Sequence, residues 1–254
     1  MTGSPLPRRL AAMLALAACV GASTARAEDA RTTDVDVSRL TLRLPGDGWT
    51  VSDKLPWGLA VNSSSLTVDG ERRLVAAGTP GTRSSMVMMV SATRGHGLVT
   101  IHAECEPEEG GYVRKFNRGE ANYIPLQCLR VTGPYDFPSD PAKVGGAFGQ
   151  AMAAQHVVLP PGGYYVTVEV CNENGAVVEI EALVDFGFSG LEGRRAAAPL
   201  PPRVIEPIAA WADVLGESAL GTLTSLFPKL VVPPVAFKRP PPPPEPVEAT
   251  SAAA

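Results

Sequence analysis

Residues 163–188 read GYYVTVEVCNENGAVVEIEALVDFGF, and their alternation decides the fold. Before the turn, Tyr164, Val166, Val168 and Val170 fall on one face, with Tyr165, Thr167, Glu169 and Cys171 on the other. After it, Val178, Ile180, Ala182 and Val184 alternate with Glu179, Glu181, Leu183 and Asp185. A period of two is what a half-buried strand requires, because successive side chains point to opposite sides of the pleat. Between the two runs lie Asn172-Glu173-Asn174-Gly175, and Asn and Gly tolerate the positive φ of a tight turn. The stretch therefore predicts an antiparallel hairpin near the centre of a sheet, and no chemistry is written on it.

Upstream, Pro160-Pro161-Gly162 leads into the hairpin from a segment that reads as a helix, Asp140 to His156. Asp140 suits the cap and Pro141 the first helical position, while Gly145, Gly146 and Gly149 weaken the helix and suggest a close approach to the sheet. Downstream, 187–202 reads as a linker, and Val204, Ile208, Ala212, Leu215, Ala219, Leu223 and Phe227 form a helical stripe through 203–227.

Toward the N-terminus, Leu40, Leu42 and Leu44 alternate as a strand, stopped by Pro45-Gly46-Asp47-Gly48 with Trp49 as a lid. Residues 57–61 could form another, Val68-Asp69-Gly70 reads as a turn, and Arg72–Ala76 as a short strand. The run MVMMVSAT at 86–93 has the length and apolarity of a strand buried on both faces, and 98–105 reads as its hairpin partner. Residues 28–38 are polar enough to be a frayed arm, 106–122 a surface loop, and 123–131 a strand that Pro125 places at an edge. The fold class is α+β: an antiparallel sheet of about six to eight strands packed by two or three helices. Residues 28–230 form one domain, and 231–254, with five consecutive prolines, a disordered polyproline II tail.

Residues 1–27 carry an address. Arg8 and Arg9 precede the apolar run LAAMLALAACVGA at 10–22, and Ala25-Arg26-Ala27 fits a small-x-small cleavage site, so the mature chain would start at Glu28. The run is shorter than the roughly 20 residues a spanning helix needs. Leu16-Ala17-Ala18-Cys19 also resembles a bacterial lipobox, which would make Cys19 the lipidated N-terminus. Both processing routes place the folded part outside the cytoplasm, in the periplasm or secreted, or anchored at the outer membrane through Cys19. Membrane attachment follows only from lipidation.

The 254-residue chain is 45% hydrophobic with a net charge of −4, and loss of residues 1–27 removes three arginines and no acid, taking it to −7. Phosphate-backbone binding needs a surplus of Lys and Arg, so nucleic acid is excluded as a partner class. In an oxidising compartment two of the three remaining cysteines should pair. The expected bridge is Cys105–Cys128, with Cys171 buried as a small hydrophobe and 128–171 as the alternative pairing.

Catalytic signals are sparse. The chain has no Gly-x-Ser-x-Gly elbow, phosphate loop, dinucleotide fingerprint or His-Glu-x-x-His. His102 and Glu104 share a strand face, but the HAEC string lacks the Pro-Cys-x-x-Cys of zinc deaminases. Glu169, Glu181 and Glu179 could meet across the central hairpin as paired carboxylates. A hydrolase would be favoured by a pocket lined by Tyr112, Tyr164, His102 and Glu104. The reading is a non-enzymatic exported envelope protein with no cofactor or metal, binding an envelope protein or a small ligand. The alternatives are a periplasmic hydrolase and a tethered structural lipoprotein.

Overall fold

The structure, a computed structural model, describes residues 31–60, 67–78, 81–93, 105, 110–116, 127–172, 175–185 and 206–234. In chain order its strands and helices are β1 (Thr32–Val37), β2 (Leu40–Pro45), β3 (Trp49–Val51), β4 (Leu55–Ala60), β5 (Thr67–Ala77), β6 (Met86–Thr93), β7 (Tyr112–Lys115) and β8 (Gln127–Asp136). They continue with α1 (Gly146–Ala154), β9 (Gly162–Cys171), β10 (Val177–Asp185), α2 (Glu206–Thr222) and β11 (Lys229–Val231). A 3-10 turn at Pro141–Val144 precedes α1, and Asp140 Oδ1 accepts from the Ala142 amide as its cap.

The hairpin forms as its alternation requires. β9 and β10 pair antiparallel from Val177 opposite Cys171 to Asp185 opposite Gly163, with Gly175 at φ +78 in the turn. They are the middle of an eight-stranded sheet ordered β3-β5-β6-β10-β9-β8-β7, with β4 also paired to β5. The chain is α+β, mostly antiparallel sheet with two helices among the described residues. A second sheet, β1-β2-β11, joins β2 to β11 in parallel.

Three layers follow. On one face of the large sheet, Val166, Val168, Ile180 and Met88 meet Leu42 and Leu44 of the small sheet and Ile208, Trp211 and Leu215 of α2 in the main core. On the opposite face, Leu74, Val87, Met89 and Leu183 meet Phe148 and Met152 of α1. A third cluster holds Trp57, Cys105, Cys128, Cys171 and Val177. All eight residues of β6 are buried, so the methionine run fills both cores: Met86 and Met88 enter one and Met89 the other.

Several expectations need correction. The polar arm at 28–38 contains β1, in which Val35 and Val37 are buried against the main core. Val68-Asp69-Gly70 is no turn but part of β5; Gly70 lies opposite Trp57, and a Cβ there would sit 2.5 Å from the indole. Both edges of β6 are taken by β5 and β10, which leaves none for the hairpin expected with 98–105. Residues 98–104 lie outside the described residues. The strand placed at 123–131 starts at Gln127 and is interior, between β7 and β9, while Pro125 lies outside the described residues.

The loop expected at 106–122 contains β7, whose Tyr112 and Arg114 are held from α2: the Tyr112 hydroxyl donates to Asp213 at 2.9 Å, and Arg114 pairs with Asp213 and Glu217. α2 stops at Thr222, whose hydroxyl donates to the Ala219 carbonyl, and Pro228 biases the preceding residue out of helical geometry. Phe227, the last residue of the expected stripe, is consequently 89% exposed.

Candidate functional site: an acidic band and an aromatic cleft

The main core takes one face of the central hairpin, which leaves Tyr165, Thr167, Glu169, Glu179, Glu181 and Leu183 facing the α1 side. Register fixes who meets whom: Glu169 is directly opposite Glu179, Thr167 opposite Glu181 and Tyr165 opposite Leu183. Opposed residues on one face have Cβ atoms about 5 Å apart. The sequence-level expectation that these glutamates converge holds, with Glu179, and not Glu181, as the direct partner of Glu169.

Neighbouring strands complete the band. From β8, Arg130 donates to Glu169 Oε2 at 3.1 Å. From β6, Ser91 lies opposite Glu179 and is itself buried. From β5, Arg72 lies opposite Ser91. The Tyr165 hydroxyl donates to Glu181 Oε1 at 2.5 Å. Burial pushes the Glu179 carboxyl up to about 7, and repulsion from Glu181 and Glu169 adds to it against the pull of Arg72. Burial also raises Tyr165 well above the ordinary phenol range, helped by its hydrogen bond to Glu181 and by the charges of Glu181, Glu179 and Glu169.

At its α1 end the band opens into a cleft of about 410 Å³. β8 shifts register between Thr132 and Tyr135, across Gly133 at φ +118, and this bulge carries Tyr135, Asp136 and Phe137 onto the cleft wall. Phe148 of α1 and Tyr165 of β9 supply two more rings, and Glu181 the second carboxylate. Among the described residues the lining contains Asp136 and Glu181 but no Lys, Arg or His, and no Ser or Cys.

A second opening, a groove of about 650 Å³, lies where the β1–β2 turn, the end of β6 and the end of α2 meet. Arg39 is its only charged lining residue among those described, and Leu226, 93% exposed, stands at its rim. Its chemistry is plain: threonine, asparagine, serine and aliphatic walls around one base.

The expected disulfide Cys105–Cys128 is formed, with Cα atoms 5.8 Å apart. Cys171 is outside it and fully buried beside both cysteines in the third cluster. Tyr112 and Tyr164 do not share a pocket: Tyr164 is fully buried in the main core and Tyr112 packs at its margin. His102, Glu104 and Cys19 lie outside the described residues. Among the described residues no three His, Cys, Asp or Glu converge as a metal site. No helix among them is long and apolar enough to cross a membrane.

Sequence reasoning missed Asp136, Tyr135 and Phe137, because nothing in PYDFP signals a bulge that turns three side chains into a cleft. Tyr165 was within reach, since its alternation puts it on the glutamate face. No protein-family model matches the chain, and no curated protein or solved structure matches it.

Proposed function

We propose that this chain is an exported protein of the bacterial envelope that works by holding a ligand in the cleft between α1 and the central hairpin. The pattern of residues 1–27 supports export. The observation that carries the binding reading is the cleft wall: four aromatic side chains beside two carboxylates, with no Ser, Cys, His or Lys among its described lining residues. Ligand sites in general are apolar concavities with a few convergent polar groups, and this cleft has that make-up.

A hydrolase is the second reading, and one observation favours it. Glu179 is half protonated near neutral pH and lies opposite Glu169, which Arg130 holds by an ion pair. Environments that separate two neighbouring carboxylates in this way are a known route to a general acid beside a base.

The test is native mass spectrometry of the protein taken from the envelope fraction of its host. A chain beginning at Glu28 and carrying a small molecule supports the proposal, provided that Val144→Trp, which fills the cleft, arrives empty. A chain beginning at an acylated Cys19 would replace the freely exported form with a tethered one. Retention of residues 1–27 in the cytosol would overturn export, and equal loading of the Val144→Trp variant would overturn the cleft.

A further inference from the structure

We propose that the cleft selects an organic cation: a protonated amine or quaternary ammonium group carried on an apolar or aromatic body. This rests on the reading of the cleft as a ligand site and adds the charge of the ligand to it.

Two features of the wall converge on that class. The first is charge: Asp136 and Glu181 line the cleft, and no Lys, Arg or His does among the described residues. Glu181 makes its hydrogen bond to a neutral phenol, Tyr165, and to no cationic side chain among the described residues. The phenol gives that carboxylate a donor and no opposing charge. The second is the rings of Tyr135, Phe137 and Tyr165 on the wall: aromatic faces attract cations within about 6 Å of a ring centroid, and ring bodies accept apolar groups.

One feature opposes the assignment, and magnitude decides against it. Gly145, which lines the cleft, immediately precedes α1, so the helix N-terminus faces the opening and favours an anion. A helix terminus is equivalent to about half a positive charge. A carboxylate carries a whole charge, and that of Glu181, held by a neutral phenol, stands on the same wall. The groove at the other end of the sheet has the opposite character among its described lining residues, one arginine and no acid.

The experiment is isothermal titration of the full-length protein at pH 7.5 with three probes of one size: phenethylammonium, 2-phenylethanol and phenylacetate. Each is run on wild type, Glu181→Gln and Val144→Trp, with circular dichroism confirming that the variants keep the wild-type fold. The expected result is that phenethylammonium binds most tightly and that Glu181→Gln weakens it by about fivefold, the size of a partly exposed ion pair. The same substitution should leave 2-phenylethanol unchanged, and Val144→Trp should remove both. Equal binding of the alcohol or tighter binding of phenylacetate, lost in Val144→Trp, would overturn the charge assignment and leave the cleft as a site. Absence of binding by all three probes, or binding indifferent to Val144→Trp, would overturn the cleft itself.

Discussion

The Tyr165 hydroxyl donates to Glu181 Oε1 at 2.5 Å, joining β9 to β10 diagonally on the face the main core does not use. The bond gives a half-buried carboxylate a neutral donor. A hydrogen bond to a charged group contributes about 1.5–3 kcal/mol when well shielded, and partial exposure of this pair reduces that to about 1 kcal/mol. Tyr165→Phe and Glu181→Gln, combined in a double-mutant cycle by urea unfolding, should show favourable coupling of that size. Simple additivity would mean the contact does not stabilise the hairpin.

Glu179 gives the protein an alkaline penalty. Its folded-state value of about 7 stands above the ordinary 4.5, so the native state binds more protons than the unfolded chain between those two values. Its contribution to stability is present in full below pH 4.5 and is lost as pH rises through 7. The groups facing it are Glu169 and Tyr165 from β9, Glu181 on its own strand, Ser91 from β6, Arg72 from β5 and, behind Glu169, Arg130 from β8. Glu179→Gln should therefore raise the melting temperature at pH 8 and change it little at pH 4.5. The gain at pH 8 should be on the order of 2–3 kcal/mol, since each tenfold change in proton affinity between folded and unfolded chain is worth about 1.4 kcal/mol.

The Cys105–Cys128 bridge closes a loop with a sequence separation of 23. Chain-entropy arguments give such a loop about 3 kcal/mol of stabilisation. The double substitution to alanine should lower unfolding stability by roughly that amount. Under native conditions iodoacetamide should leave Cys171 unmodified, because it is fully buried, and should label it once the chain is unfolded. Intact mass before and after denaturation reads this directly.

Gly163 of β9 lies against the backbone of β10, opposite Asp185. A Cβ there would lie 1.8 Å from the Val184 carbonyl oxygen, which belongs to β10 and cannot move without breaking the sheet. Gly163→Ala should cost more than about 3 kcal/mol, placing it among the most damaging single substitutions. Gly221→Ala, with open space around the added methyl, should be tolerated, and thermal unfolding of the pair checks the contrast.

Local alternation made part of this architecture legible. The pattern through 163–188 was enough for β9 and β10, the apolar run 86–93 for β6, and Asp140-Pro141 for the turn into α1. Each of those signals is carried by adjacent residues. The misses depend on partners far along the chain. β7 is charged and short, and its Tyr112 and Arg114 are secured by Asp213 and Glu217, about a hundred residues away. Gly70 looked like a turn because nothing near it shows that an indole from β4 needs its missing side chain. The site divides the same way. The three glutamates follow from period two, whereas Asp136 and the rings beside it reach the cleft through a bulge that only the fold reveals.

Chemical-shift mapping of the isotopically labelled full-length protein titrated with phenethylammonium tests the central claim most directly. The account predicts amide shifts at Tyr135, Phe137, Gly145, Phe148, Tyr165 and Leu183, around the acidic aromatic cleft. Shifts at Arg39, Thr93, Val177 and Leu223, around the basic groove, with none at the cleft, would contradict it.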